Sequence, residues 1–131
     1  MRTEDNDSVV IGGGQIAGTA ALTVVTVERD QLVIVTVQGS VDVLTAPQLS
    51  EAVDNALTGE PRGLIIDLST TEFLASAGMS ALVAAHEAIA PAGKLGVVAD
   101  GPSTARPIRL VGLDQTLTLY PTLEDAIGAM T

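Results

Sequence analysis

Hydrophobic positions near the start of the chain come in two strand-sized runs separated by a polar segment. Residues 20–27 and 32–37 are rich in Val, Leu and Thr, a composition that favours extended backbone. The tetrapeptide between them, Glu-Arg-Asp-Gln at residues 28–31, is suited to reversing the chain. We therefore predict an N-terminal β-hairpin.

The hydrophobic period changes to that of a helix over residues 45–57. Apolar residues recur there at the spacing of one face of an amphipathic helix. This face comprises Ala46, Leu49, Ala52, Val53, Ala56 and Leu57. Thr45 and Gln48 have the spacing of a capping box, and Gly59 is expected to end the helix.

Apolar runs without a helical period predict the buried strands. Residues 64–66 form such a run, which ends in Asp67, and residues 95–99 form another. Continuous runs of this length are typical of central strands covered on both faces. A helix from residue 77 to about residue 90, stopped at Pro91, is predicted between them.

The C-terminal part of the chain continues the alternation of helices and strands. A short helix is predicted at residues 107–111, a strand at residues 116–119, and a last helix that Thr122 caps. The resulting order is β-β-α-β-α-β-α-β-α. It predicts an α/β fold with a mixed, mostly parallel sheet, an N-terminal hairpin and about four helices.

Length and composition indicate one domain with an N-terminal tail. The chain has 131 residues, of which 47% are hydrophobic, enough for one compact core. Residues 1–18 are acidic and then rich in glycine, so they offer few side chains to bury and predict a flexible tail. The folded domain is expected at residues 19–131.

The charge balance limits the classes of partner. Six basic and sixteen acidic residues give a net charge of −10, which repels nucleic acids and anionic lipids. No apolar run approaches the roughly 20 residues of a spanning helix, and the acidic start of the chain is unlike a secretory signal. We expect a cytoplasmic protein that binds neither nucleic acid nor membrane. The absence of cysteine excludes thiolate metal sites and a cysteine nucleophile.

Three features that suggest chemistry are interpreted as structural. Residues 9–18 contain a G-x-G-x-x-A pattern, but no helix follows it as a dinucleotide site requires. Asp67 is expected to accept backbone N–H groups after its strand rather than to carry a phosphoryl group. His86 is expected at the edge of the core with no nucleophile in reach. We predict no catalytic residue, metal site or cofactor, and no enzymatic activity.

The segment from Asp67 to Met79 carries the most functional information. A strand leads into a loop that Phe73 and Leu74 are expected to anchor, and Ser76 follows where a helix N-cap is expected. An exposed hydroxyl there could carry a phosphate beside unpaired backbone N–H groups. The alternative is that Ser76 only caps the helix.

The helix after Ser76 is poor in charged and bulky residues on its outer side. Gly78 lacks a side chain, so a partner is expected to approach its backbone closely. The outer side carries Ser80, Ala81, Ala84 and Ala88. The predicted core side carries Met79, Leu82, Val83 and Ala90. The outer side is interpreted either as a docking surface continuous with Ser76 or as a surface covered by the C-terminal helices.

Two segments resemble the STAS domain of bacterial anti-sigma factor antagonists. Residues 39–46, Gly-Ser-Val-Asp-Val-Leu-Thr-Ala, look like the family's G-x-[LIV]-D-x-x-T-A turn into the first helix. The second segment runs from Asp67 through Ser76 to Gly78. The resemblance extends over residues 19–130 and implies a mixed sheet with helices largely on one side.

The resemblance also implies roles for individual residues. In that family a partner anti-sigma kinase phosphorylates the serine that precedes x-Gly, which is Ser76 here. Asp42 is expected in the same neighbourhood. The partner-binding set implied is Asp42, Thr45, Ala75, Ser76, Ala77, Gly78 and Ser80. Many members carry an acidic residue before the serine and Ser or Thr after it, whereas this chain has alanine at both positions.

We hypothesise that the protein is an anti-sigma factor antagonist and not an enzyme. Unmodified protein would bind an anti-sigma factor with serine kinase activity and release the sigma factor, and phosphorylation of Ser76 would switch binding off. A serine phosphatase would be a further partner. Weaker candidate phosphoacceptors are Ser69, Thr70, Thr71 and Ser80. The alternative is a STAS-type sensor that holds a nucleotide or another small molecule near Asp42 and Ser76, with Arg106 and Arg109 as available cations.

Overall fold

One five-stranded sheet organises the computed structural model, which describes residues 22–131. Its strands lie in sequence order. β1 (Thr23–Arg29) pairs antiparallel with β2 (Leu32–Val41), and β3 (Gly63–Leu74), β4 (Lys94–Val98) and β5 (Thr118–Tyr120) continue the sheet in parallel. The predicted mixed, mostly parallel sheet is confirmed.

Four helices connect or follow the strands. They are α1 (Ala46–Leu57), α2 (Ser76–Ile89), α3 (Ala105–Leu110) and α4 (Leu123–Met130), and a 3-10 turn, η1 (Leu113–Gln115), follows α3. The order of strands and α-helices is the predicted one. The predicted tail at residues 1–18 lies outside the described residues, so the domain boundary at residue 19 stays a prediction.

Alternating residues of the strands face two separate apolar layers. Val33 and Val35 of β2 and Leu64 of β3 point into the larger core, which α1, α2 and α3 cover. Ile34 and Ile65, at the intervening positions, pack into a smaller cluster with α4. The period of two in a strand explains this division, and it leaves three of the helices on one side of the sheet.

The hairpin turn is shorter than the predicted polar tetrapeptide. β1 continues through Arg29, and the turn consists of Asp30 and Gln31. Both residues have positive φ, 52° and 71°. Two-residue turns of this hand match the right-handed twist of paired strands, so the turn closes the hairpin tightly.

β3 is much longer than predicted. The sequence places its end at Asp67, but it remains paired with β2 as far as Leu74. Two irregularities in the β2–β3 register, near Gln38 and Gly39, break the alternation. As a result Leu68, Thr71 and Leu74 are buried at intervals of three residues. A regular strand buries every second residue, so this spacing does not predict a strand from the sequence. The prediction of a loop between Asp67 and α2 is therefore wrong, because this segment continues β3.

The described residues contain no helix that is both long and apolar enough to cross a membrane.

Candidate partner-binding site

The paired ends of β2 and β3 bring the two motif segments together. Val41 at the end of β2 lies opposite Leu74 at the end of β3. The Ala75 N–H then donates to the Val41 carbonyl at 2.8 Å. Asp42 follows Val41 directly, and Ser76 is two residues beyond Leu74. The two residues expected in one neighbourhood thus follow strands that end side by side.

The Asp42 carboxylate organises the turn from β2 into α1. Its Oδ1 accepts the N–H of Leu44 at 2.9 Å and that of Thr45 at 3.1 Å. The Asp42 carbonyl accepts the N–H of Ala46 at 2.8 Å. Asp42 is half-buried. Its carboxylate therefore holds the start of α1 while remaining partly open to a partner.

Thr45 is buried and stabilises the same turn. Its Oγ1 accepts the Asp42 N–H at 2.9 Å and donates to the Ser40 carbonyl at 2.7 Å. The predicted capping box is therefore wrong, because this hydroxyl bonds backward along the chain. The Gln48 side chain bonds to the backbone of Leu22 instead. Since Thr45 is only 6% exposed, it shapes the turn and offers little surface to a partner.

Ser76 is exposed at the first position of α2. The preceding Ala75 occupies the cap position in extended backbone, with ψ of 175°, so the expectation that Ser76 is the N-cap is wrong by one residue. No side chain caps this helix, and its first turn holds no acidic residue. Helix N-termini carry unpaired N–H groups and partial positive charge. The Ser76 hydroxyl therefore lies beside groups that stabilise an anion.

Gly78 is buried against the sheet, which corrects the expectation that a partner approaches it. A Cβ at this position would come within 2.6 Å of Leu74 Cδ1 and 2.7 Å of Val41 Cγ1. Such distances are far below van der Waals contact. The glycine thus permits α2 to pack closely on the ends of β2 and β3, and it does not present its backbone to solvent.

The buried face of α2 differs from the predicted stripe. It consists of Gly78, Ala81, Leu82, Ala85 and Ile89. The pattern of the sequence predicts Ala81 on the outer side and Ala90 on the core side, but Ala81 is buried and Ala90 is exposed. His86 is half-buried, as expected for the edge of the core. Ser80, Ala84 and Ala88 are exposed, so the C-terminal helices do not cover the outer side.

A groove lies between α2 and the segment that follows α3. We call it the α2 groove; its volume is about 390 Å³. Its lining residues are Ser76, Met79, Ser80, Val83, Ala84, Glu87, Val111 and Leu113. Two of the expected partner-binding residues, Ser76 and Ser80, therefore belong to one continuous concave surface. The flanking Ala75 and Ala77 are half-buried.

Three large apolar side chains that the sequence motifs do not single out as partner contacts are exposed at the same end of the sheet as Ser76. Val43 and Leu44 are 74% and 73% exposed in the β2–α1 turn, and Phe73 is 54% exposed near the end of β3. Phe73 therefore does not anchor the chain as expected. Leu74 does, since it is only 3% exposed. A signal for the first pair was available, because Asp42 and Thr45 enclose them in a turn too short to reach the core. Contiguous exposed apolar groups mark interaction surfaces, so Val43 and Leu44, adjacent in one turn, are candidates for partner contact.

Comparisons with known proteins identify the fold and its relatives. A family model described as STAS domain matches residues 23–126. This chain belongs to the STAS domain family. The chain is 41% identical over 107 residues to the anti-sigma-F factor antagonist RsfB of Mycobacterium tuberculosis, a match that covers 82% of this chain and 88% of RsfB. The expected family is thereby confirmed.

Solved structures agree with this assignment. An anti-sigma factor antagonist from Mycobacterium paratuberculosis superposes with a TM-score of 0.81 at 44% identity, covering 84% of this chain and 94% of that one. The Bacillus cell fate determinant SpoIIAA in its phosphorylated form gives a TM-score of 0.62 at 20% identity, covering 85% of this chain and 100% of that one. The second likeness is one of fold. The STAS fold expected from the sequence is confirmed.

The remaining candidate phosphoacceptors of this STAS domain differ in accessibility. Ser69, Thr70 and Ser80 are exposed. Thr71 is 6% exposed, and its Oγ1 donates to the Val37 carbonyl at 2.8 Å. A kinase cannot reach Thr71 without opening the sheet, so this candidate is withdrawn.

Asp67 has a structural role in the STAS domain. Asp67 is 5% exposed, and its Oδ1 accepts the Ser69 N–H at 2.9 Å, as the structural interpretation expected. Across residues 22–131, no three His, Cys, Asp or Glu side chains come together in a way that could hold a metal ion.

Proposed function

We propose that this protein is an anti-sigma factor antagonist whose binding to an anti-sigma factor is switched off by phosphorylation of Ser76. Its relatives support the regulatory role, since RsfB is an anti-sigma-F factor antagonist and the Mycobacterium paratuberculosis protein is an anti-sigma factor antagonist. The observation that carries the switch is the exposed Ser76 at the uncapped start of α2, next to the Asp42 turn. In this proposal the protein acts by binding and is itself the substrate of a kinase.

The binding surface combines apolar anchors with the hydroxyl. Val43, Leu44 and Phe73 are more than half exposed at the same end of the sheet as Ser76. Large apolar side chains supply most of the free energy at the centre of a protein interface, where water is excluded. The unmodified Ser76 hydroxyl is small and neutral, so it fits into such a contact.

Phosphorylation of Ser76 makes binding at this surface less favourable without a change of fold. In the free protein the phosphate lies beside the unpaired N–H groups of α2, where its charge is stabilised. In the complex the same dianion has to lose water, which costs several kcal/mol when no cation compensates it. A loss of about 3 kcal/mol corresponds to roughly a hundredfold weaker binding. Modification therefore acts on the contact itself.

Partner release is tested most simply by displacement of the sigma factor. The anti-sigma factors of the encoding organism are purified one at a time, and each is loaded with its labelled sigma factor. Wild-type protein and the Ser76→Ala variant are expected to displace the label from one of them, as followed by fluorescence anisotropy. Ser76→Asp is expected to require a concentration higher by about tenfold or more, because it places a carboxylate in the contact.

A matched control separates charge at the site from charge in general. Ser50 is an exposed serine within α1, and Ser50→Asp should displace the sigma factor as well as wild type does. Equal activity of the Ser76→Asp and wild-type proteins would contradict the proposed switch. Failure of wild-type protein to displace any sigma factor would contradict the antagonist role.

The alternative is a sensor of a nucleotide or another small molecule, and its nucleotide form is not favoured by the geometry. The α2 groove is the concave surface next to Ser76, and none of its lining residues is basic. Arg106 and Arg109 belong to α3 but do not line it. Phosphate groups require donors or positive charge, so this surface suits a protein partner better than a nucleotide. A cytoplasmic location follows from the proposal, since sigma factors act there.

A further inference from the structure

We propose that the α2 groove binds an amphipathic segment of the anti-sigma factor, which inserts a large apolar side chain and places a Lys or Arg beside Glu87. This inference rests on the proposed function, because it takes the anti-sigma factor as the partner. It extends the binding surface from Ser76 along α2 and specifies the chemistry of the segment that fits there.

The groove follows the length of α2. Ser76, Ser80, Ala84 and Glu87 are spaced by three or four residues, so they form one row on the helix surface. At about 1.5 Å per residue this row spans about 16 Å. Met79 and Val83 form the adjacent row and also line the groove. An elongated partner segment can therefore contact Ser76 and Glu87 at the same time.

The opposite wall carries one exposed apolar side chain, that of Val111, beside Leu113, which is partly buried against the larger core. Val111 and Leu113 line the groove beyond α3. Val111 is 59% exposed, and the preceding Leu110 is 72% exposed. A cavity of about 390 Å³ is within the roughly 300–1,000 Å³ of pockets that enclose small organic ligands. A large apolar side chain from a partner fits this volume and covers the exposed wall.

The charge of the groove selects a basic partner over a second copy of this chain. Glu87 is the one ionisable side chain among its lining residues. The whole chain carries a net charge of −10, so two copies repel each other, whereas a basic segment is attracted at long range. Inside the contact, a Lys or Arg beside Glu87 compensates a carboxylate that would otherwise lose water unpaired.

Single-cysteine labelling tests the groove without disturbing folding. The chain contains no cysteine, so Ala84→Cys and Ser50→Cys each introduce one reactive thiol that is modified after the protein has folded. Both residues are exposed, Ala84 on α2 and Ser50 on α1, but only Ala84 lines the groove. A bulky maleimide at Ala84→Cys is expected to weaken binding of the purified anti-sigma factor by about tenfold or more, by filling the site of the apolar side chain.

The controls distinguish this inference from the proposed function. The same adduct at Ser50→Cys should leave the Kd close to that of wild type. Glu87→Lys should weaken binding by about fivefold or more, because it opposes the basic residue of the partner, whereas Glu51→Lys on α1 should not. If the Ala84→Cys adduct binds like wild type while Ser76→Asp does not, the groove proposal is wrong and the switch stands. A free chain that sediments as a dimer and becomes a monomer on labelling would identify a second copy as the occupant and overturn the proposal.

Discussion

The residues of the two motif segments divide into those that build the fold and those that meet solvent. Thr45 and Gly78 are buried, one inside a turn and the other against the ends of β2 and β3. Ser76 is exposed and Asp42 is half-buried. A motif recognised in the sequence does not make this distinction, because a glycine required for packing and one required for access look identical. The structure separates them by what a Cβ would contact.

Gly78 provides a test at the scale of single residues. Gly78→Ala should destabilise the protein by about 1–2 kcal/mol, because overpacking against Val41 and Leu74 outweighs the helix propensity of alanine. Gly128 in α4 is the matched control, since a Cβ there has nothing within 4 Å, and Gly128→Ala should stabilise by about 0.5–1 kcal/mol. Urea unfolding measures both changes. A Gly78→Ala variant as stable as wild type would show that α2 is not packed as tightly as described.

At the scale of elements, the sequence predicts what strong local signals specify. The hairpin, the order of the elements and the capping of α4 by Thr122, whose Oγ1 accepts the Asp125 N–H at 3.1 Å, all follow from such signals. The second half of β3 does not, because the irregular register with β2 removes its alternation. The buried face of α2 was misplaced for a related reason. It is built from Gly78, Ala81 and Ala85, small residues with a weak hydrophobic signal that let the helix approach the sheet closely.

The start of α1 depends on a single side chain, that of Asp42, for its hydrogen bonds to the turn. Asp42→Ala removes the acceptor for the N–H groups of Leu44 and Thr45 and should cost about 1 kcal/mol of stability, as loss of a helix cap does. Asp42→Asn keeps an acceptor oxygen and should stay within about 0.5 kcal/mol of wild type, because Asn and Asp cap equally well. Thermal or urea unfolding compares the two variants. If Asn costs as much as Ala, the charge of Asp42 and not its hydrogen bonds holds the turn.

At the scale of the whole molecule, the sheet brings together the surface on which we propose the switch. β2 and β3 end side by side, so Phe73 lies in a paired strand, and Asp42 and Ser76 follow within two residues of the paired strand ends. The acidic composition of the chain adds long-range attraction toward a basic partner. The family and the fold could be predicted from the sequence. The exposure of Phe73 and the wall that Val111 and Leu113 add to the α2 groove could not, because both depend on which elements pack side by side.

The central claim is tested most directly by the affinity of the anti-sigma factor for protein phosphorylated only at Ser76. Isothermal titration calorimetry gives the Kd of the modified and unmodified proteins, and thermal unfolding checks that modification leaves the fold intact. We predict a Kd that rises by about a hundredfold, with thermal stability unchanged or higher because the phosphate lies at a helix N-terminus. Equal Kd values for the two intact proteins would contradict the account.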